Sequence, residues 1–202
     1  MTPMQRFLAI GRSRLQLLEG VAHDPTDAAR VVAALEALRP ARVHLDLSPL
    51  EWDLLTTDPD SLAPFAARAF ERVAQVGPAE PNALYQAVRA WCARSQTPHS
   101  LLLATLPEAP PGRKGLKLLD RMVRKEGFAA ANARSAVERL HKHYVARIPQ
   151  LVDWLGARRA LAAGTLVRTY AGRQDEGAVV CAFPEGEAIA DQAFLLQHPR
   201  AS

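Results

Sequence analysis

His23, Asp46, His44 and Glu19 are the side chains whose types and spacing can do chemistry in this chain. An apolar run, Leu15-Gln16-Leu17-Leu18-Glu19, leads into Gly20-Val21-Ala22-His23, and a second run, Val43-His44-Leu45-Asp46-Leu47, carries an acid near its end. If the two runs are neighbouring parallel strands, His23 and Asp46 share the edge where open α/β sheets place their ligands. Glycine lets the backbone turn sharply at a strand end. Imidazole supplies a nitrogen ligand and carboxylate an oxygen. With one more ligand they would hold a divalent metal that keeps a position open for an activated water. Period-two alternation puts His44 on the face of Asp46, either as a further ligand or as a hydrogen-bonded core histidine. Glu19 either supports the site or faces solvent. His23 has a plainer reading as a turn residue capping the next helix. Asp46 has one as a buried acid paired with Arg12, Arg14 or a backbone amide, because an isolated buried charge is strongly disfavoured.

The elements that must position these groups read as β-α-β-α over the first fifty residues. Residues 12–20 form a strand. Asp24 or Thr26 caps a helix whose apolar positions, Val31, Val32, Leu35 and Leu38, follow helical spacing up to Arg39-Pro40. Residues 42–47 form a second strand. Ser48-Pro49-Leu50-Glu51 is a capping box, which accounts for Glu51 without any chemistry. The middle, about 58–163, reads as helix-rich, with helices over 62–76, 82–93, 115–126, 128–147 and 149–163 and a short strand at 101–106. In the tail, 165–170 and 178–183 read as strands and 187–197 as a closing helix. The expectation is one α/β domain over 1–202, with a small, mainly parallel sheet flanked by helices.

The chain has 202 residues, 49% of them hydrophobic and 23% charged, with a net charge of +4. That composition belongs to a globular domain rather than a disordered one. Cys92 and Cys181 are far apart and have no metal-type spacing. No signal peptide is evident and no apolar run reaches the ~18 residues of a membrane span, so the expected location is cytoplasmic. Charge is concentrated between Arg113 and Arg147, where ten basic residues face three acids. Lys114, Lys117, Arg121 and Arg124 recur at three- and four-residue steps. Such a stripe would suit a non-catalytic protein that binds nucleic acid or an acidic partner, although most such runs are solvated helix faces.

Residues 17–55 resemble the TraB/pheromone-shutdown family, which is related to the Tiki metalloproteases and more distantly to the ChaN and erythromycin-esterase proteins. The matching pattern is the strand ending in Gly20-Val21-Ala22-His23, the helix to Arg39-Pro40, and the acid-bearing strand Val43-His44-Leu45-Asp46-Leu47. Asp46 stands where the family has Glu, Glu51 where it has Arg, and Glu19 at a position usually apolar. The family's second Gly-x-x-His, after a late strand, corresponds here to Ala182-Phe183-Pro184-Glu185-Gly186, which has no histidine. The resemblance implies a metal-dependent hydrolase or peptidase acting on a peptide or another small polar substrate. It implies His23 and Asp46 as the core of the site and a divalent ion of unspecified identity. His44 and Glu19 would support that site, and His99, His141 or His143 would stand in for the missing ligand.

Overall fold

The computed structural model describes residues 6–22, 24–54, 82–104 and 149–199, with the single positions 135, 138 and 142. The described residues form one five-stranded mixed sheet with helices on both faces, an α/β fold as the sequence predicts. The strands are β1 (Arg6–Ile10), β2 (Ser13–Gly20), β3 (Val43–Leu45), β4 (His99–Leu101) and β5 (Glu176–Ala182). The helices are α1 (Pro25–Leu38), α2 (Pro49–Leu54), α3 (Ala83–Ser95), α4 (Pro149–Tyr170) and α5 (Glu185–Gln197). The sheet order is β1-β2-β5-β3-β4. Only β1 runs antiparallel; β2, β5, β3 and β4 are mutually parallel.

The late strand β5 completes the same sheet as β2 and β3 and lies between them. Its burial explains that position. Ala178 and Val180 pack with Val31, Leu35, Leu84 and Val88 on the α1/α3 face. Val179 and Cys181 pack with Leu15, Leu17, Leu166 and Ile189 on the α4/α5 face. A strand buried on both sides reads as a continuous apolar run, and Ala178-Val179-Val180-Cys181 is one.

Local chemistry fixes the turn after β2. The Asp24 side chain accepts from the Thr26 amide at 2.8 Å, capping α1, and Pro25 occupies the first helical position. Asp27, in the first turn of α1, accepts from the Val21 amide at 2.8 Å. The Leu84 amide donates to the Ala22 carbonyl at 3.1 Å, which seats the start of α3 on this turn. A Cβ at Gly20 would stand 3.1 Å from Leu84 Cδ1, so glycine permits that close approach. The predicted capping box is present: the Ser48 amide donates to Glu51 Oε2 at 2.8 Å and the Glu51 amide donates to Ser48 Oγ at 3.2 Å.

Two expectations are corrected and one strand is added. Residues 165–170 continue α4 rather than forming a strand. Leu166 and Tyr170 are buried with Ala162 at steps of four, a helical period, and an even spacing of four fits one face of a strand equally well. The tail therefore enters β5 from a helix. The edge strand β1 was not anticipated. Its inward residues are Leu8 and Ile10, and its Phe7 is 46% exposed. The short middle strand occupies 99–101 rather than 101–106. The helices expected over 62–76, 115–126 and 128–147 lie outside the continuously described segments.

Candidate functional site

Three strand ends converge at the carboxyl edge of the parallel strands: Gly20 of β2, Ala182 of β5 and Asp46, one residue past β3. The two runs that carry the resemblance are therefore parallel but not neighbours, because β5 separates them. His23 itself falls outside the described residues, as do His141, His143, Lys114, Lys117, Arg121 and Arg124.

Asp46 is the best-defined group at this edge. It is 5% exposed. The Tyr85 hydroxyl donates to its Oδ1 at 2.5 Å, and the Ala182 amide donates to Oδ2 at 3.4 Å. Burial raises its pKa from 3.8 to about 6, against the lowering effects of Tyr85, the Arg158 charge and the Ala182 amide. The physical reason is that a carboxylate loses hydration inside the protein and two donors do not replace it. Burial and the adjacent Asp46 charge push the Tyr85 phenol well above its ordinary value.

Arg158 of α4 ties the edge together. Its Nη1 donates to Glu51 Oε1 at 2.6 Å and its Nη2 to the Asp46 carbonyl at 2.8 Å. Arg159 holds Glu185 with two hydrogen bonds, at 2.7 and 3.1 Å. Glu185 opens α5 immediately after the cis Phe183-Pro184 bond. Cys181 lies under this group. Burial first, then the negative charges of Asp46, Glu19 and Glu185, push its thiol well above the ordinary range.

Glu19 faces the start of α5. Its Oε1 accepts from the Gly186 amide at 2.6 Å. A Cβ on Gly186 would fall 2.6 Å from that same oxygen and 2.8 Å from Glu19 Cγ and Cδ. Gly186→Ala is therefore expected to cost roughly 1–2 kcal/mol by forcing Glu19 aside. In a Glu19→Ala background the penalty should largely vanish. Equal penalties in the two backgrounds, measured by chemical denaturation, would show that the two residues are not in contact.

His44 does not join Asp46. Its Nε2 lies 2.7 Å from the Tyr170 hydroxyl of α4 and its Nδ1 lies 2.7 Å from Ser100 Oγ of β4. Asp46 instead meets Tyr85 of α3, on the opposite face of the sheet. The alternation that predicted a shared face stops at Leu45, where β3 ends and the chain bends. Burial and the nearby Arg42 charge lower the His44 pKa from 6.5 to about 4, so the ring is neutral at pH 7. Its geometry is that of a core histidine. His99 begins β4 at the amino edge and lies against Trp52, with ring centroids 4.8 Å apart.

Among the described residues, no group of three or more His, Cys, Asp and Glu is placed to hold a metal ion. Both ring nitrogens of His44, both carboxylate oxygens of Asp46 and one oxygen of Glu19 are already engaged by protein groups. As placed, these donors do not fit a divalent ion. Cys92 and Cys181 are both free and buried. No helix among the described residues is long and apolar enough to cross a membrane.

Tyr85, Arg158 and Arg159 were not singled out from the sequence, and Cys181 was weighed only for metal-type spacing. Arg158 is 112 positions from Asp46 and Tyr85 is 39, and no local pattern links residues so far apart. Comparison with family models, curated proteins and solved structures finds no match to this chain.

Proposed function

We propose that this chain is a divergent TraB-like hydrolase that acts on a peptide or another small polar substrate at the carboxyl edge of β2, β5 and β3. The observation that carries the reading is the insertion of β5 between β2 and β3. It brings the Gly20 turn, the acid-ended strand and the Pro184-Glu185-Gly186 segment to one edge. The first two are segments in which the sequence resembles that family, and the third stands where the family has its second Gly-x-x-His but carries no histidine here. Asp46 is the proton-handling group. A carboxyl with a midpoint of about 6 can give and take a proton near neutrality, as general acid–base catalysis requires. Tyr85 and the Ala182 amide orient it, and Arg158 holds the backbone on which it stands.

The test is hydrolysis of a panel of p-nitrophenyl esters and peptide p-nitroanilides by wild type, Asp46→Asn and His23→Ala, with elemental analysis of each protein. Activity should fall ~100-fold or more in Asp46→Asn, the scale of losing a positioned acid or base. A divalent ion that copurifies with wild type and is lost in His23→Ala would assign a metal to the Gly20-Val21-Ala22-His23 turn. Hydrolysis at wild-type rates in both variants would remove this reading.

A further inference from the structure

The amino edge of the same sheet holds a second polar feature, remote from the edge where the proposed hydrolytic site lies. A cavity of about 470 Å³ lies between the β1–β2–β5 face and the last turn of α1. Its volume is in the range of small-molecule sites. Register defines its floor. Phe7 is the cross-strand partner of Gln16 and Arg14 is that of Glu176, so all four stand on one face. Leu15 and Leu17, which alternate with Arg14 and Gln16, pack toward α4 and α5 on the other face. Leu38, Arg39 and Pro40 form the wall.

Gln16 is the informative residue. It is 4% exposed. The other buried polar side chains are partnered: Ser13 with the Arg173 carbonyl and the Asp175 amide, His44 with Tyr170 and Ser100, Asp46 with Tyr85, and Ser48 with Glu51. The Gln16 carboxamide makes no hydrogen bond among the described residues. It lines the cavity rather than sitting sealed in the core, where the only unpartnered buried side-chain atom among the described residues is Trp91 Nε1. A carboxamide offers two donors and an acceptor, and here they face the cavity with no protein partner among the described residues.

The rest of the lining gives the ligand its chemistry. The Arg14 guanidinium lies over the Phe7 ring, 3.7 Å from its centroid. That contact engages the plane of the guanidinium, whereas its N–H edge is the part that pairs with carboxylate or phosphate. Neither Arg14 nor Arg39 forms an ion pair among the described residues. Two arginines against Glu176 leave the lining positive. Phe7, Leu38 and Pro40 supply an apolar surface.

We propose that this cavity binds a small organic oxyanion with a flat apolar body. Its charge lies against Arg14 and Arg39, its body against Phe7 and Leu38, and a polar atom reaches the Gln16 carboxamide. The test is an NMR titration of the ¹⁵N-labelled full chain with benzoate and with phenyl phosphate, using uncharged benzamide as the shape control. At least one anion should shift the Gln16 side-chain amide saturably and bind more tightly than benzamide. The tighter of the two anions identifies the carboxylate or the phosphate as the natural head group. Arg14→Ala, on an exposed side chain, should weaken binding about tenfold or more, the worth of a charge-assisted hydrogen bond, and Gln16→Leu should weaken it independently. No saturable shift with either anion would overturn the proposal. So would benzamide binding as tightly as both anions, or an affinity unchanged by Arg14→Ala.

Discussion

Relative to the wild type, Asp46→Asn is expected to make the protein lose stability on acidification, and His44→Gln is expected to make it gain stability. The two groups oppose each other. Asp46 has a folded-state pKa of about 6 against an ordinary 3.8, so the folded state binds the proton more tightly. Its stabilising contribution is complete below 3.8 and is lost as pH rises through about 6. His44 has a folded-state pKa of about 4 against 6.5, so folding favours the neutral ring. Its contribution is complete above 6.5 and is lost as pH falls through about 4. Each shift corresponds to something on the order of 3 kcal/mol, with opposite sign over nearly the same window. In the wild type they nearly cancel between pH 4 and 7. Asp46→Asn leaves the histidine term, and His44→Gln leaves the aspartate term while keeping groups that can bond to Tyr170 and Ser100. Denaturation midpoints at several pH values would check this. Variant curves running parallel to the wild type would show that neither group titrates as described.

The second large effect is expected from Leu45→Ala. β3 has only three residues, and Leu45 is 0% exposed in the core shared by Val31, Leu35, Leu84 and Val180. Truncation there should cost about 2–5 kcal/mol, the transfer term plus the cavity left behind. That is a large fraction of the ~5–15 kcal/mol of a typical domain. Leu45 also immediately precedes Asp46, so loosening β3 should disturb the Tyr85–Asp46 contact and lower any activity that depends on it. Leu195→Ala is the control: its side chain is 49% exposed on α5 and its loss should change stability by about 0.5 kcal/mol or less. Equal losses at the two positions would contradict the burial described here.

How much of this could be read from the sequence depends on the range of the interaction. The capping box at Ser48 and Glu51, a cap at Asp24 or Thr26 and a strand over 178–183 follow from residues within a few positions of each other; the structure has the box, Asp24 as the cap and the strand at Glu176–Ala182. Residues 165–170 show the weakness of short windows. Leu166 and Tyr170 are compatible with either period until Ala162 and Ala163 are known to be buried beside them. The β1 strand has only Leu8 and Ile10 as inward residues, too few to distinguish from a tail. The order β2-β5-β3 could not be read, because Asp46 and Val180 become partners only when a strand more than a hundred residues later inserts between two early ones. The candidate site was half legible for the same reason. Asp46 stood out as an acid in an apolar run, whereas its partners Tyr85 and Arg158 looked like ordinary helix residues. His44 looked like Asp46's companion only under the assumption that the strand continues past Leu45.

The chemistry proposed at this edge depends on Asp46 being a buried carboxyl that takes up a proton near neutrality at the junction of three parallel strands. The most direct measurement is the pH titration of its side-chain carboxyl carbon by ¹³C NMR. A midpoint close to 6 is predicted, moving upward in Tyr85→Phe as the phenolic donor that stabilises the carboxylate is removed. A midpoint near 4, unchanged by Tyr85→Phe, would contradict both the burial of Asp46 and the role assigned to it.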